Sequence, residues 1–124
     1  MKYVQAVDFE ALNASHERWN QELLDAGVTD SCSIKVVKTP QGGGSPAGLH
    51  THEVDQIFYV LSGTMNVEIQ GTTYIAGPGT LVVFPARVPH RNWNAGQDET
   101  VHLSIVVPPA PDGVPFATSV TPHI

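Results

Sequence analysis

The stretch HTHEVDQ, His50 to Gln56, sets two imidazoles two residues apart, and on an extended chain that spacing points both to one side of a sheet. Such a pair is half of a metal site or simply a surface pair, and a third donor decides between the two. The other histidines are His16, His90, His102 and His123. His16 falls on a segment with a helical pattern and His123 at the extreme C-terminal end, so both are expected at the surface. His90 follows FPARVP, where Pro85 and Pro89 bracket a tight corner, and it opens HRNWN with His90, Asn92 and Asn94 on one face. A histidine that re-enters a strand from a turn is well placed to be a ligand.

The elements that must carry these side chains are mostly strands. From Ser31 onward, SCSIKVVK is bounded by Pro40, QIFYVLS by Gly63, MNVEIQ by Gly71, TLVVF by Pro85 and VHLSIVV by Pro108. In MNVEIQ, Met65, Val67 and Ile69 face one way and Asn66, Glu68 and Gln70 the other, the alternation of a half-buried antiparallel strand. Turn signals every eight to twelve residues or so argue for an all-β sandwich or barrel. Before the strands, KYVQAV reads as a weak edge strand. SHERWNQELLDAG reads as a short N-terminal helix, with Ser15 as its cap, Trp19 and Leu23 four apart, and Gly27 at its end. The Pro-rich tail from Pro108 is expected to run over the surface or onto a partner subunit.

At 124 residues the chain suits one domain: strand and helix in 1–30, barrel in 31–107, tail in 108–124. A net charge of −6, with six Lys and Arg and no basic cluster, leaves nothing to hold a phosphate backbone, so nucleic acid is excluded as a partner. The longest apolar runs, LVVF and SIVV, fall far short of the roughly 20 residues that span a bilayer. One cysteine, Cys32, precludes an internal disulfide, and the N-terminus lacks a secretory pattern. The expectation is a soluble, cytoplasmic protein. Cys32 also has no flanking cation to depress its pKa for nucleophilic work.

The spaced residues Gly44, His50, His52, Gln56 and Gly63, followed by Gly79, Pro85, His90 and Asn94, resemble the two motifs of the cupins. Gln56 stands where the first motif carries Glu, and Arg87 where the second commonly carries Gly. The resemblance covers Gly44 to Asn94. It implies an all-β double-stranded β-helix, or jelly-roll, with a mononuclear metal held by His50, His52 and His90. Imidazole suits Fe, Mn, Zn, Ni or Cu, whereas Ca and Mg prefer oxygen donors. Cupins usually pair, so a homodimer is expected as well.

Residue parity sends Glu53 to the face opposite His52, and a hairpin at Glu53 to Asp55 leaves both acids in the turn. Gln56 then opens a strand with Phe58 and Val60 on its own face. Two roles stand open for its amide: a ligand through the carbonyl oxygen, or a hydrogen-bonding partner of a metal-bound water or a histidine. Either way the metal's charge is uncompensated, which favours an anionic or enolisable oxygen ligand. His102 and Ser104 share the polar face of VHLSIVV. Turned inward, His102 is an acid or base near the metal; turned outward, it is a solvent or interface histidine. Tyr59 is a further candidate proton carrier, with Tyr74 behind it, and Phe58, Met65 and Arg87 are candidates for contact with substrate.

No Ser/His/Asp arrangement, phosphate loop or CxxC is present, so the chemistry converges on the histidines. The reading placed first is a metalloenzyme that dioxygenates a small oxygen-chelating metabolite. The alternative is a non-redox isomerase or lyase acting on a sugar acid or uronate, since His, His, Gln, His resembles cupins that linearise unsaturated uronates. A non-catalytic small-molecule binding or sensing module is the reading from a different class.

Overall fold

Alternation along the chain becomes two antiparallel sheets whose inner faces meet. The computed structural model describes residues 3–25, 27–45, 48–110 and 115–120. Its elements are α1 (Phe9–Ala14), β1 (Trp19–Leu24), β2 (Ser33–Thr39), β3 (His50–Thr51), β4 (Asp55–Ser62), β5 (Met65–Ile69), β6 (Thr72–Ala76), β7 (Leu81–Phe84), β8 (His90–Trp93), β9 (Thr100–Val107) and β10 (Thr118–Ser119). One sheet has the order β1-β2-β9-β4-β7 and the other β10-β3-β8-β5-β6. This is the expected jelly-roll.

The turns follow their residue chemistry. Ile69 pairs with Thr72 across a two-residue hairpin loop. Its central residues, Gln70 at φ 50° and Gly71 at φ 83°, take the left-handed conformation that matches the twist of the flanking strands. Asp8 caps α1 by accepting from the Ala11 amide at 3.0 Å.

The N-terminal region departs from expectation. The helix lies at Phe9–Ala14, and the segment expected to be helical contains the edge strand β1 instead. KYVQAV forms no strand within its described part. Trp19 and Leu23 suit a helix four residues apart, but helix propensity is a weak prior that tertiary context overrides. Here β2 offers an unpaired edge, and β1 fills it in a register running from Trp19↔Lys38 to Leu24↔Ile34 with a bulge between Glu22 and Leu24. Lys38, almost fully buried, fastens α1 and the link to β1 onto this sheet. Its Nζ donates to the Leu12 carbonyl at 2.6 Å and the Ser15 carbonyl at 2.7 Å, and it pairs with Glu99 at 2.9 Å. Three acceptors offset the cost of burying the ammonium.

The space between the sheets divides in two. At one end Phe58, Val60, Met65, Val67, Ala76, Val82 and Phe84 form the apolar core. At the other, the inner faces of β2, β3, β8 and β9 carry polar side chains around a cavity. Phe58 and Phe84 stand at the boundary, edge to face at 4.8 Å. Phe84 lies 4.4 Å from the His90 ring and Phe58 4.2 Å from the His102 ring. No helix among the described residues is long and apolar enough to cross a membrane.

Candidate metal centre

Backbone register brings the first and third histidines together. β3 and β8 pair antiparallel with His50 directly across from His90, and His52, two residues beyond His50, returns to the same side. The approach of the preceding loop is what Gly44 permits: a Cβ built there would sit 2.3 Å from the Asn92 carbonyl oxygen and 2.6 Å from the Trp93 Cα. Ser45 Oγ donates to the Asn92 carbonyl and accepts from the Asn92 amide, at 3.1 and 3.0 Å. Asn94 is buried for structural reasons. Its side chain donates to the Thr39 and Asp98 carbonyls and accepts from the Gly96 amide.

The corner between Pro85 and Pro89 is stitched to the turn after His52. The Arg87 amide donates to the His52 carbonyl at 2.7 Å and the Ala86 amide to Asp55 Oδ1 at 2.8 Å. Asp55 opens β4 instead of lying in the expected turn, and from there its carboxylate clamps the corner. Arg87 has φ 65°, which explains why a glycine is common at its position. Its side chain is three-quarters exposed and lies 3.8 Å from an equally exposed Glu53, a pairing worth little. The expectation that Arg87 meets substrate is corrected accordingly, because the corner turns it to solvent.

The two buried histidines of this cluster are each oriented through one nitrogen. His52 Nδ1 lies 3.0 Å from the Val54 carbonyl and His90 Nδ1 2.9 Å from the Val88 carbonyl. A carbonyl only accepts, so each Nδ1 carries the proton and each Nε2 presents a lone pair. Both Nε2 atoms are buried without a hydrogen-bond partner, in residues 2% and 1% exposed. Ligand atoms of His50, His52 and His90 lie within 4.8 Å of one another. Orphaned acceptors converging in this way are costly unless a cation completes them, and backbone carbonyls on the far nitrogens are the usual support of metal-bound imidazoles. The residues fit a divalent transition metal. Burial lowers the pKa of His90 to about 4, with the neighbouring His50 and His52 adding to the effect and the Val88 carbonyl opposing it. Burial and then His52 lower that of His50 as well. Both shifts favour the neutral form of His50 and His90, the form that binds metal.

Gln56 lies on the inner face of β4, and its Nε2 donates to Ser104 Oγ at 2.9 Å. With the nitrogen engaged, the carbonyl oxygen is the atom available to a metal or its water. His102 faces inward, the orientation that the first of its two readings requires. On β9 it is flanked by Val37 of β2 and Val60 of β4, is 3% exposed, and keeps a buried Nδ1 without a partner. Burial, followed by the Arg18 charge, lowers its pKa to about 4. A cavity of about 330 Å³ is lined by His50, Gln56, Phe58, His102, Arg18 and Phe116, among others. An outer lobe shares five of these and extends to Lys35, Glu22 and Asp25.

Tyr59 and Met65 are corrected along with Arg87. Tyr59 alternates with Phe58 and Val60 onto the outer face, 39% exposed, beside the more exposed Leu81 with which it pairs. Tyr74 is also exposed. Met65 does point inward, but into the apolar core rather than the cavity. Phe58 belongs to both. Sequence reasoning missed Arg18 and Phe116. Phe116 lies 4.6 Å from the His52 ring because β10 pairs with β3, Ser119 against His50. This described part of the tail runs beside the site; His123 lies outside the described residues, and His16 is exposed.

The low pKa of His102 has a measurable consequence. Between its ordinary 6.5 and about 4, the unfolded chain binds a proton that the native protein refuses, so stability falls as pH drops through that window. The loss attributable to this ring approaches about 3 kcal/mol. In urea titrations of the metal-free protein, His102→Leu is expected to flatten the dependence between pH 7 and 4.5 relative to wild type. Parallel curves would show that His102 is not buried in the neutral form.

A sequence model of the cupin domain matches residues 35–107. The protein belongs to the cupin family. This cupin shares its fold with KdgF from Halomonas sp., at 22% identity and a TM-score of 0.68 over 82% of this chain and 87% of that one. It is similar to the polyketide cyclase RemF from Streptomyces resistomycificus, at 24% identity and 0.70 over 86% and 73%. A putative sugar phosphate isomerase from Acidithiobacillus ferrooxidans is 29% identical, with a TM-score of 0.64 over 73% and 58%. No curated protein sequence matched the cupin.

Proposed function

We propose that this cupin is a metal-dependent enzyme that moves a proton next to a carbonyl or hydroxyl of a small oxygen-chelating metabolite, giving isomerisation or elimination. The observation that carries this reading is His102: a neutral imidazole, buried, with an uncommitted Nδ1, in the cavity that also contains His50 and Gln56. A metal held by His50, His52 and His90 would supply Lewis-acid polarisation of the substrate oxygen.

The chain's own groups supply the rest. Gln56, fixed by Ser104, orients a substrate oxygen or a water. Phe58 and Phe84 close the cavity toward the core and exclude water from that side. His102 Nδ1 accepts the proton. A negatively charged substrate raises its pKa from about 4 toward neutrality, where a general base works best. The names of two fold relatives, a cyclase and a putative sugar phosphate isomerase, agree with non-redox chemistry. The all-imidazole donor set supports a second reading, dioxygenation with Fe(II).

The two are separated by incubating Zn-, Mn-, Ni- and Fe(II)-loaded protein with 2-hydroxy acids, 2-oxo acids and uronates in D₂O. Deuterium exchange at the carbon beside the carbonyl is expected by NMR. His102→Gln is expected to slow it by roughly 100-fold or more with metal content unchanged. Oxygen uptake by the Fe(II) form without exchange would put dioxygenation first. Absence of both would sink the enzymatic reading.

A further inference from the structure

The edge strand that displaced the expected helix carries a cation to the cavity. Asn20 and Glu22 pair with Val37 and Lys35, and Val37 pairs with His102, so these two side chains of β1 share the inner face with His102. Arg18, directly before β1, continues that alternation. It lines both lobes of the cavity, at their exposed rim. Lys38, Arg87 and Arg91 each have a carboxylate partner, whereas Arg18 has no ion pair or hydrogen bond among the described residues. The outer lobe is lined by two cations, Arg18 and Lys35, and two carboxylates, Glu22 and Asp25. The inner lobe, which contains His50, is lined by no acidic side chain among the described residues.

We propose that Arg18 is a specificity-determining residue that takes the distal carboxylate of the substrate, whose chelating oxygens lie at the histidine cluster. The substrate class is then a small organic acid with two ends: an oxygen donor pair for the metal, and a carboxylate for a guanidinium that binds it through two parallel hydrogen bonds. A volume of about 330 Å³ suits a molecule of that size, at the lower end of the usual range for ligand sites. The inference rests on the metal-site reading above for the chelating end only. Arg18 shares its cavity with His102, whose pKa its charge helps to lower, so a carboxylate that neutralises Arg18 also makes His102 a stronger base.

The test uses malate and its distal amide, β-malamate, which differ in one charge. Calorimetric titration of Zn-loaded wild type is expected to show malate binding roughly tenfold more tightly, a preference that narrows as salt is raised. Arg18→Gln is expected to abolish the preference, chiefly by weakening malate, while leaving zinc content as in wild type, and Arg18→Lys to keep part of it. Equal affinities in wild type, binding of neither probe, or a preference that survives Arg18→Gln would each overturn the proposal. His50→Ala tests the other end independently. Loss of zinc with it supports the metal site whatever Arg18 does, and full zinc retention counts against the metal site while leaving the malate preference to judge Arg18.

Discussion

His90→Ala is expected to leave the protein unable to retain a metal through dialysis, where wild type keeps one. Removing only a supporting hydrogen-bond partner of a metal-bound imidazole costs about 10–100-fold in affinity, so losing the ligand itself is expected to cost at least that upper figure. His90 is the sharpest choice because its register opposite His50 joins the two halves of the site. Its Nδ1 bond to the Val88 carbonyl commits the other nitrogen to the cluster. The readouts are elemental analysis and thermal shift. Metal at a thousandfold excess over its Kd stabilises wild type by about 4 kcal/mol, and this increment is expected to vanish in the variant. The metal-free variant also loses packing against Phe84 and leaves the Val88 carbonyl without its donor, so circular dichroism must accompany the analysis. His52→Ala is expected to behave alike, and exposed His16→Ala to retain metal. A His90→Ala protein that still retains one metal would show that the ion sits elsewhere.

Gly63→Ala is expected to be, with Gly44→Ala, among the most damaging single-methyl changes in the fold. Gly63 has φ 74° in the turn between β4 and β5, a conformation that costs a side chain about 1–2 kcal/mol. A Cβ there would also lie 2.4 Å from the Glu99 carbonyl oxygen and 3.0 Å from the Thr100 Cα, backbone atoms that cannot rotate away. Relief requires moving the start of β9, where buried Thr100 donates to the Thr64 carbonyl at 2.8 Å. Together these effects are expected to cost about 3 kcal/mol or more and to lower Tm by roughly 10 °C. Gly71→Ala is the control. Its φ is 83° but nothing lies within 4 Å of the added Cβ, so only the conformational cost of about 1–2 kcal/mol applies. Equal losses in the two variants would show that close backbone approach is not what requires glycine at 63.

The centre of the site was legible because its spacing is local. His50 and His52 share a face on any extended segment. The corner at Pro85 to Pro89 could be read from its residues, and so could the inward aspect of Gln56, which alternates with Phe58 and Val60. The helix reading at Ser15 to Gly27 failed for a reason of the same kind: Trp19 and Leu23 satisfy a four-residue spacing, but the burial of β1 alternates at its start and its backbone bonds go to β2. That error hid Arg18, whose alternation with Asn20 and Glu22 was the available signal. Tyr59 and Arg87 were drawn toward the site by chemistry alone. Parity placed the first outside, and a left-handed corner residue carried the second to solvent.

His102 marks the division between sequence and structure. Alternation along VHLSIVV establishes that His102 and Ser104 lie on one face together, and the sequence by itself likewise determined an all-β chain with its imidazoles clustered on strands. Which face of β9 turns inward depends on its neighbours: Val37 and Val60 across the ladder and the stacked Phe58. The same holds for depth. Met65 and Gln56 both point inward, yet one lies in the apolar core and the other on the cavity, because the two sheets divide their shared interior at Phe58 and Phe84. Side-chain period is a property of one strand, whereas burial, pKa and the meeting of Arg18 with the histidines arise only when strands distant in sequence come into register.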